Sequence, residues 1–358
     1  MLFVTHKWKN NHFGGRQSYS RTLLKVLKKI PNTRPLEIYQ VNPYKNIKLK
    51  DKIFSLKTDY LTSDDVDKIC KIIEKKKINI VLIDCSSFGY LCKRIKSISN
   101  KIKIITIHHH IEFIFYYKLF LNGYNLKHLI LSIKMYFIEK LSSKYSDAQI
   151  YFTNRDKLLA KKNFEAKNSN IFPVSIDPKK NINKKSVRSL KKFNPYFLFV
   201  GGAHLKPNYY GIKWFIKKVL PFVKTNLIVI GSGYDSLANK VQNKNIFFLG
   251  KVENLSIYYK NSQFVITPIF SGSGMKTKVA EAFSYGKTVF GTTESSIGYE
   301  NNFNLCMISC NNSEDFIKNI KNYKKIVKNS SKIKKVFETN YSYTAMKKNF
   351  YKLIKSLK

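Results

Sequence analysis

The chain has 358 residues, 44% of them hydrophobic, which is enough for two domains with separate cores and argues against wholesale disorder. Lysine and arginine total 65 against 22 aspartates and glutamates, a formal net charge of +43, and only Arg16, Arg21, Arg34, Arg94, Arg155 and Arg188 are arginine. A lysine-rich surface attracts phosphorylated substrates or acidic lipid, whereas scarce arginine speaks against base-edge reading of nucleic acid.

Strand-like and helix-like patterns alternate along the first half. Strands are expected at residues 2–5, 37–41, 80–83, 102–107 and 149–152, with helices at 18–29, 64–77, 88–96 and 126–145 between them. Thr62 and Asp65 have the spacing of a capping box at the start of the second helix. Such alternation implies a parallel sheet joined by right-handed crossovers. Residues 178–195 are polar, rich in lysine and end near prolines, the composition of a linker. Beyond them the alternation resumes. Strands are expected at 197–200, 226–230, 246–249, 264–266 and 288–291, and helices at 209–219, 255–261 and 276–285. Met346, Phe350, Leu353, Ile354 and Leu357 share one helical face near the end, so that helix should dock. The domains expected are 1–177, with 342–358 packing back on it, and 196–341. A ligand of such a pair would bind at the carboxyl ends of the strands, in a cleft between the domains.

Five scattered cysteines (Cys70, Cys85, Cys92, Cys306 and Cys310) include no CxxC pair, which argues against a disulfide framework and a zinc ribbon. The segment before the first expected helix offers only a short apolar run, Leu2 to Val4, and no stretch reaches the roughly 18 apolar residues of a spanning helix. The expected setting is cytoplasmic, and peripheral at the inner face of the plasma membrane.

The most informative segment is residues 271–289, SGSGMKTKVAEAFSYGKTV. A glycine-rich turn followed by a helix start exposes backbone N–H groups beside a positive dipole end, which favours phosphate. Lys276 and Lys278 add full charges, and Glu281 lies one turn beyond Lys278 on the same face. Lys206, after Gly201-Gly202, is a second candidate cation, and Gly14-Gly15 lies between the first strand and the first helix. His108, His109 and His110 stand in a row, but neighbours on an extended chain point to opposite faces, so a metal site is not expected. Arg155 has either a cleft-facing role or an ion pair with Asp156. Residues 113–137 interleave aromatics with Lys118, Lys127 and Lys134. They read as a packed helical hairpin with lysines outward, or as an interfacial surface on acidic lipid.

In order along the chain, IFPVSID, FLFVGGAHLKPNYYGIKWFIKKVLP, NLIVIGSG, NIFFLGKVENLSIYYKNSQFVITP and GSGMKTKVAEAFSYGKTVFGTTESSIGYE resemble the bacterial group 1 glycosyltransferases, a retaining family with the GT-B architecture. The resemblance implies two Rossmann-like α/β domains facing a cleft. It also implies transfer of a hexosyl or related sugar from a nucleotide-sugar donor to a glycan or lipid-linked glycan, in bacterial surface polysaccharide biosynthesis. The donor would serve as co-substrate, with neither cofactor nor metal. Carried over by position, Glu281 would hold the ribose, Lys278 would act on the leaving diphosphate, and Val252 to Leu255 would neighbour the base. Gly14, Gly15, Gly202, Lys206, Gly272, Ser273, Gly274, Met275 and Lys276 would complete the donor site. His109 and Glu112 match a His-Asn-hydrophobic-Glu element near the transferred sugar, with His110 at the asparagine position. Ser273 stands where many members carry the first of two glutamates. The expected partners are a nucleotide sugar, a glycan acceptor and an anionic membrane surface, without nucleic acid. Two readings from other classes stand beside this one: a non-catalytic homologue acting as a membrane scaffold, and a nucleic-acid-binding protein.

Overall fold

The structure, a computed structural model, describes residues 1–8, 15–33, 35–42, 61–123, 125–178 and 190–357. Gly14 and residues 179–189 of the expected linker lie outside the described residues. The chain divides into two compact units: Met1–Pro173 with Ser273–Met275 and Met346–Lys358, and Val174–Gly272 with Lys276–Ala345.

The first unit is built on a six-stranded sheet of β1 (Leu2–His6), β2 (Glu37–Val41), β3 (Ile80–Ile83), β4 (Lys103–His108), β5 (Ala148–Tyr151) and β6 (Ser169–Ile171). Its order is β2-β1-β3-β4-β5-β6 and every pairing is parallel, with Val4 opposite Tyr39 on one side and Ile83 on the other. The inner strands are continuous apolar runs because helices cover both faces. These are α1 (Gly15–Leu27), α2 (Ser63–Lys75), α3 (Gly89–Ile98), α4 (Glu112–Leu121), α5 (Leu126–Tyr145) and α6 (Asn154–Phe164). The capping box at α2 forms as its spacing predicts, with Thr62 accepting the Asp65 N–H and Asp65 accepting the Thr62 N–H. One core layer joins Leu2, Val4, Val81 and Ile83 of the sheet to Ile69, Leu91 and Ile95 of the helices.

The second unit repeats the plan with β7 (Tyr196–Val200), β8 (Asn226–Ile230), β9 (Ile246–Phe248), β10 (Val265–Thr267), β11 (Val289–Gly291) and β12 (Met307–Ser309). Its order is β12-β11-β10-β7-β8-β9, again all parallel. The helices that concern function are α7 (Lys206–Lys218), α8 (Ser256–Asn261), α9 (Thr277–Ser284), α10 (Thr293–Ser296), α11 (Ser313–Lys321) and α12 (Ser330–Asn340). A last helix, α13 (Tyr343–Ser356), has Met346, Phe350 and Ile354 buried, and Phe350 meets Phe172 edge-on with ring centroids 5.3 Å apart.

Both sheets contain a point where successive connections change direction, between β1 and β3 in the first and between β7 and β10 in the second. Open parallel sheets leave a crevice there, outside the carboxyl ends of the strands.

The structure departs from the sequence reading in several elements. β6 and β12 are two short edge strands that the apolar pattern did not announce, because most of their residues are half-exposed or exposed. Within the expected linker, Lys191–Phe193 forms a 3-10 turn, with Leu190 and Phe193 buried. Residues 112–145 do form a helical hairpin, but Lys134, expected to point outward, is buried, and apolar residues take its place outside. Among the described residues no helix is long and apolar enough to cross a membrane.

Candidate active site

In the second unit the site is assembled around Lys278, in the first turn of α9. Its Nζ donates to Asn208 Oδ1 at 2.7 Å and sits 4.5 Å from the centroid of the Phe199 ring. Asn208, near the start of α7, also donates from Nδ2 to the Gly202 carbonyl at 3.0 Å. The lysine is thereby tied to the loop that leaves β7 at the switch point. Gly201 has φ +156°, a conformation that a side chain resists, and a Cβ there would displace the tips of Lys278 and Asn208, 2.6 and 2.7 Å away. Burial among these groups pushes the ammonium down to a pKa of about 7, with Glu281 opposing and Lys276 adding to the shift.

Glu281 lies one turn along α9, and its Oε2 accepts the Tyr259 hydroxyl of α8 at 3.0 Å. Tyr259 stacks on Tyr285 at 5.3 Å with nearly parallel rings, and Tyr285 donates to Ser256 Oγ at 2.7 Å. Burial raises the Glu281 carboxyl above its ordinary value, against the pull of Tyr259 and Lys278. α9 itself is fixed at its start by Tyr299, whose hydroxyl donates to the Lys276 carbonyl at 2.8 Å and accepts the Ala280 N–H at 3.1 Å.

The turn before α9 has Gly272 and Gly274 at φ +141° and +59°, conformations that a side chain resists. Lys276 is engaged by Glu294 of α10 in a 2.7 Å ion pair. A carboxylate therefore stands beside this turn although position 273 is serine; sequence reading did not single out Glu294. Lys206 is exposed at the first residue of α7, and it is Asn208, two residues further, that reaches Lys278. Gly202 contributes its carbonyl, Met275 is buried, and Val252 and Leu255 are half-buried before α8.

In the first unit a second polar cluster occupies the other switch point. Asp84, following β3, is buried and accepts from Thr5 at 2.9 Å, from Ser20, and from His109 Nε2 at 2.8 Å. Burial would raise this carboxyl, but His109 and Arg16 hold it below its ordinary value, so Asp84 is the ionised partner. His109 is held down chiefly by burial and is the neutral one, donating its Nε2–H. Tyr19 and Phe152 meet its ring edge-on from two directions. Arg16 donates to His6 Nδ1 at 3.0 Å and to the Asp84 carbonyl at 3.1 Å. Gly15 is the first residue of α1, adjoining Arg16.

The three consecutive histidines make separate contacts, His108 at the end of β4 and the next two just beyond it. His108 is buried and stacked on Tyr151, His109 meets Asp84, and His110 Nε2 pairs with Glu112 Oε2 at 3.2 Å. Burial would raise the Glu112 carboxyl, but His110 and Arg16 hold it at about 2. Glu139 of α5 accepts the N–H groups of Glu112 and Phe113 at 3.0 and 3.1 Å, fixing the start of α4. Burial and the nearby Glu112 charge push its carboxyl up to about 8. Arg155 lies with Nε 3.9 Å from the carboxylate of Asp156, whose backbone N–H Thr153 caps.

Two parallel six-stranded sheets with polar clusters at their switch points define the GT-B class of glycosyltransferase fold. Residues 194–324 match the family model described as "Glycosyl transferases group 1". A Klebsiella pneumoniae protein, described as an uncharacterized 44.6 kDa protein in the cps region, is 26% identical over 274 residues, 72% of this chain and 68% of that one. Among solved structures, sucrose-phosphate synthase of Thermosynechococcus elongatus superposes with a TM-score of 0.71 at 10% identity, over 99% of this chain and 98% of that one. The Anabaena protein HepE, solved with UDP-glucose, gives 0.67 at 10% identity over 99% and 100%. WaaG, a glycosyltransferase involved in lipopolysaccharide biosynthesis, gives 0.67 at 12% identity over 99% of each chain.

Proposed function

We propose that the protein transfers a hexosyl or related sugar from a nucleotide-sugar donor to a glycan or lipid-linked glycan acceptor, with retention of anomeric configuration, in surface polysaccharide synthesis. The carrying observation is the trio Lys278, Asn208 and Glu281 at the β7–β10 switch point. A half-charged, desolvated lysine in the first turn of a helix suits a diphosphate. A carboxylate one turn away, with one oxygen held by Tyr259, suits a pair of ribose hydroxyls.

In this reading an acceptor hydroxyl oxygen bonds to the anomeric carbon as the bond from that carbon to the donor's phosphate oxygen breaks, and the hydroxyl proton passes to the departing diphosphate. Lys278, as an ammonium, stabilises the charge that develops on the departing diphosphate. The charge stabilisation is assigned to the lysine and the helix dipole, without a divalent ion. His109, Asp84 and Glu112 belong to the acceptor side, where the His109–Asp84 bond orients the imidazole. UDP-sugar is the favoured donor class, since the Anabaena neighbour is solved with UDP-glucose. Retention rests on the resemblance of residues 272–300 to the retaining family, and polysaccharide synthesis on the cps-region relative and the lipopolysaccharide neighbour.

The test is a thermal-shift panel of UDP-, GDP-, ADP- and dTDP-sugars against the wild type and Lys278→Met. A ligand that binds the native state raises its melting temperature. At least one donor should stabilise the wild type and fail on the variant. Absence of any shift, or an equal shift on both, would overturn the proposal.

A further inference from the structure

Residues 112–145 of the first unit turn an apolar stripe toward solvent. On α5, Leu126, Ile130, Ile133 and Phe137 are 68%, 52%, 53% and 51% exposed. Their spacing of four, three and four places them on one helical face, along about 16 Å of axis. Tyr117 and Leu121 of α4 are exposed as well. A helix in a soluble domain ordinarily turns such a row inward. Here the inward face of α5 carries Lys134, Glu139 and Ser142 beside Met135 and Ile138, and Glu139 is committed to the start of α4.

The charges around the stripe have one sign. Lys118, Lys127, Lys140 and Lys144 are exposed along the hairpin. Its two acids are withdrawn, Glu139 by burial and Glu112 by pairing with His110. Among the described residues of the hairpin, then, no acid is exposed beside the apolar row.

We infer that this face docks on the surface of an anionic lipid bilayer, with the stripe entering the headgroup–acyl boundary and the lysines on lipid phosphates. Apolar depth and flanking cations are the two contributions such binding needs. A second copy of the chain is a poor occupant, because a symmetric contact would oppose the same lysines on a molecule of net charge +43. The inference does not depend on the sugar-transfer reading, since it rests on a different face and a different ligand.

The experiment is vesicle co-sedimentation of the full chain, comparing phosphatidylglycerol–phosphatidylcholine mixtures with phosphatidylcholine alone. Three variants accompany the wild type: Ile130→Ser/Ile133→Ser/Phe137→Ser, Lys127→Glu/Lys140→Glu, and a control, Lys71→Glu/Lys75→Glu, on exposed α2 positions. The wild type should prefer anionic vesicles by at least about tenfold, on the scale of roughly fivefold per engaged lysine. The serine variant should lose about tenfold or more at unchanged charge. The hairpin lysine variant should lose more than the control, although both lower the net charge by the same amount. All three alter exposed side chains, and unchanged melting temperatures would verify that each folds.

Failure of the wild type to bind anionic vesicles would refute the inference. So would equal losses in the hairpin and control lysine variants, which would reduce the effect to bulk charge. Concentration-dependent self-association that the serine variant abolishes would assign the face to a second copy. Stripe-dependent binding to a soluble acidic protein without vesicle binding would assign it to a protein partner.

Discussion

Replacing Lys278 by methionine keeps an apolar stem over Phe199 and deletes the ammonium, so it isolates the charge. In the unliganded protein this ammonium has a pKa of about 7 because it is buried. A diphosphate placed against it would restore a value near the ordinary lysine range, about 10.4. At pH 8 the free protein then holds about 0.1 proton on this group and the complex about 1, so binding takes up about 0.9 proton. At pH 6 the group is already charged and the uptake falls to about 0.1. Donor affinity should accordingly weaken about tenfold per pH unit above 7. Titration calorimetry in buffers of different ionisation enthalpy measures the uptake directly, with a nucleotide sugar whose phosphates do not titrate in this range. A binding heat at pH 8 that does not vary with buffer, or the same uptake in Lys278→Met, would refute the reasoning. The same residue governs stability. Its folded pKa lies below its unfolded one, so between about pH 7 and pH 10.5 the unfolded chain binds the proton more readily and folding strengthens as pH rises. Lys278→Met should flatten that rise, whose upper bound is on the order of 5 kcal/mol.

Tyr259→Phe leaves a buried carboxylate without its donor. It should raise the KM for donor several-fold with little change in kcat, and cost about 1–3 kcal/mol in urea unfolding. Asp84→Asn removes the anion on which Thr5, Ser20 and His109 converge. A loss of about 3 kcal/mol or more is expected at pH 7, shrinking below about pH 4, because the wild-type carboxyl has a depressed pKa and its contribution disappears as it protonates. Chemical denaturation across that pH range tests this. Gly211→Ala would set a Cβ 2.0 Å from the Pro268 carbonyl oxygen, where α7 crosses the chain leaving β10. Overpacking against backbone should cost about 3 kcal/mol or more and lower the melting temperature measured by circular dichroism.

Much of the architecture was legible because buried parallel strands are written as runs of branched apolar residues. IVLI at 80–83 and NLIVI at 226–230 are strands within the expected bounds. β6 and β12 escaped because an edge strand with exposed residues has no such run to show. In the second unit, Gly272, Lys278 and Glu281 stood out as a turn-and-helix pattern. Their partners did not. Asn208 and Tyr259 are ordinary residues locally, and acquire a role only when folding brings β7 beside β10. Asp84 carried a weak signal, an acid at the carboxyl end of a wholly apolar strand. Lys134 and Glu139 reversed the simple expectation that charge faces water. Glu139 bonds the first N–H groups of α4, which strand and helix periodicity does not encode.

Asn208 satisfies two demands at once, giving a proton to the Gly202 carbonyl and receiving one from a lysine 70 positions away. An aspartate could receive but not give, and would cancel the lysine's charge within the protein, leaving less for an incoming anion. An apolar residue would strand both partners. The amide and the lysine therefore form one heritable unit despite their separation in the gene, and drift at either position should be tolerated only with a matching change at the other.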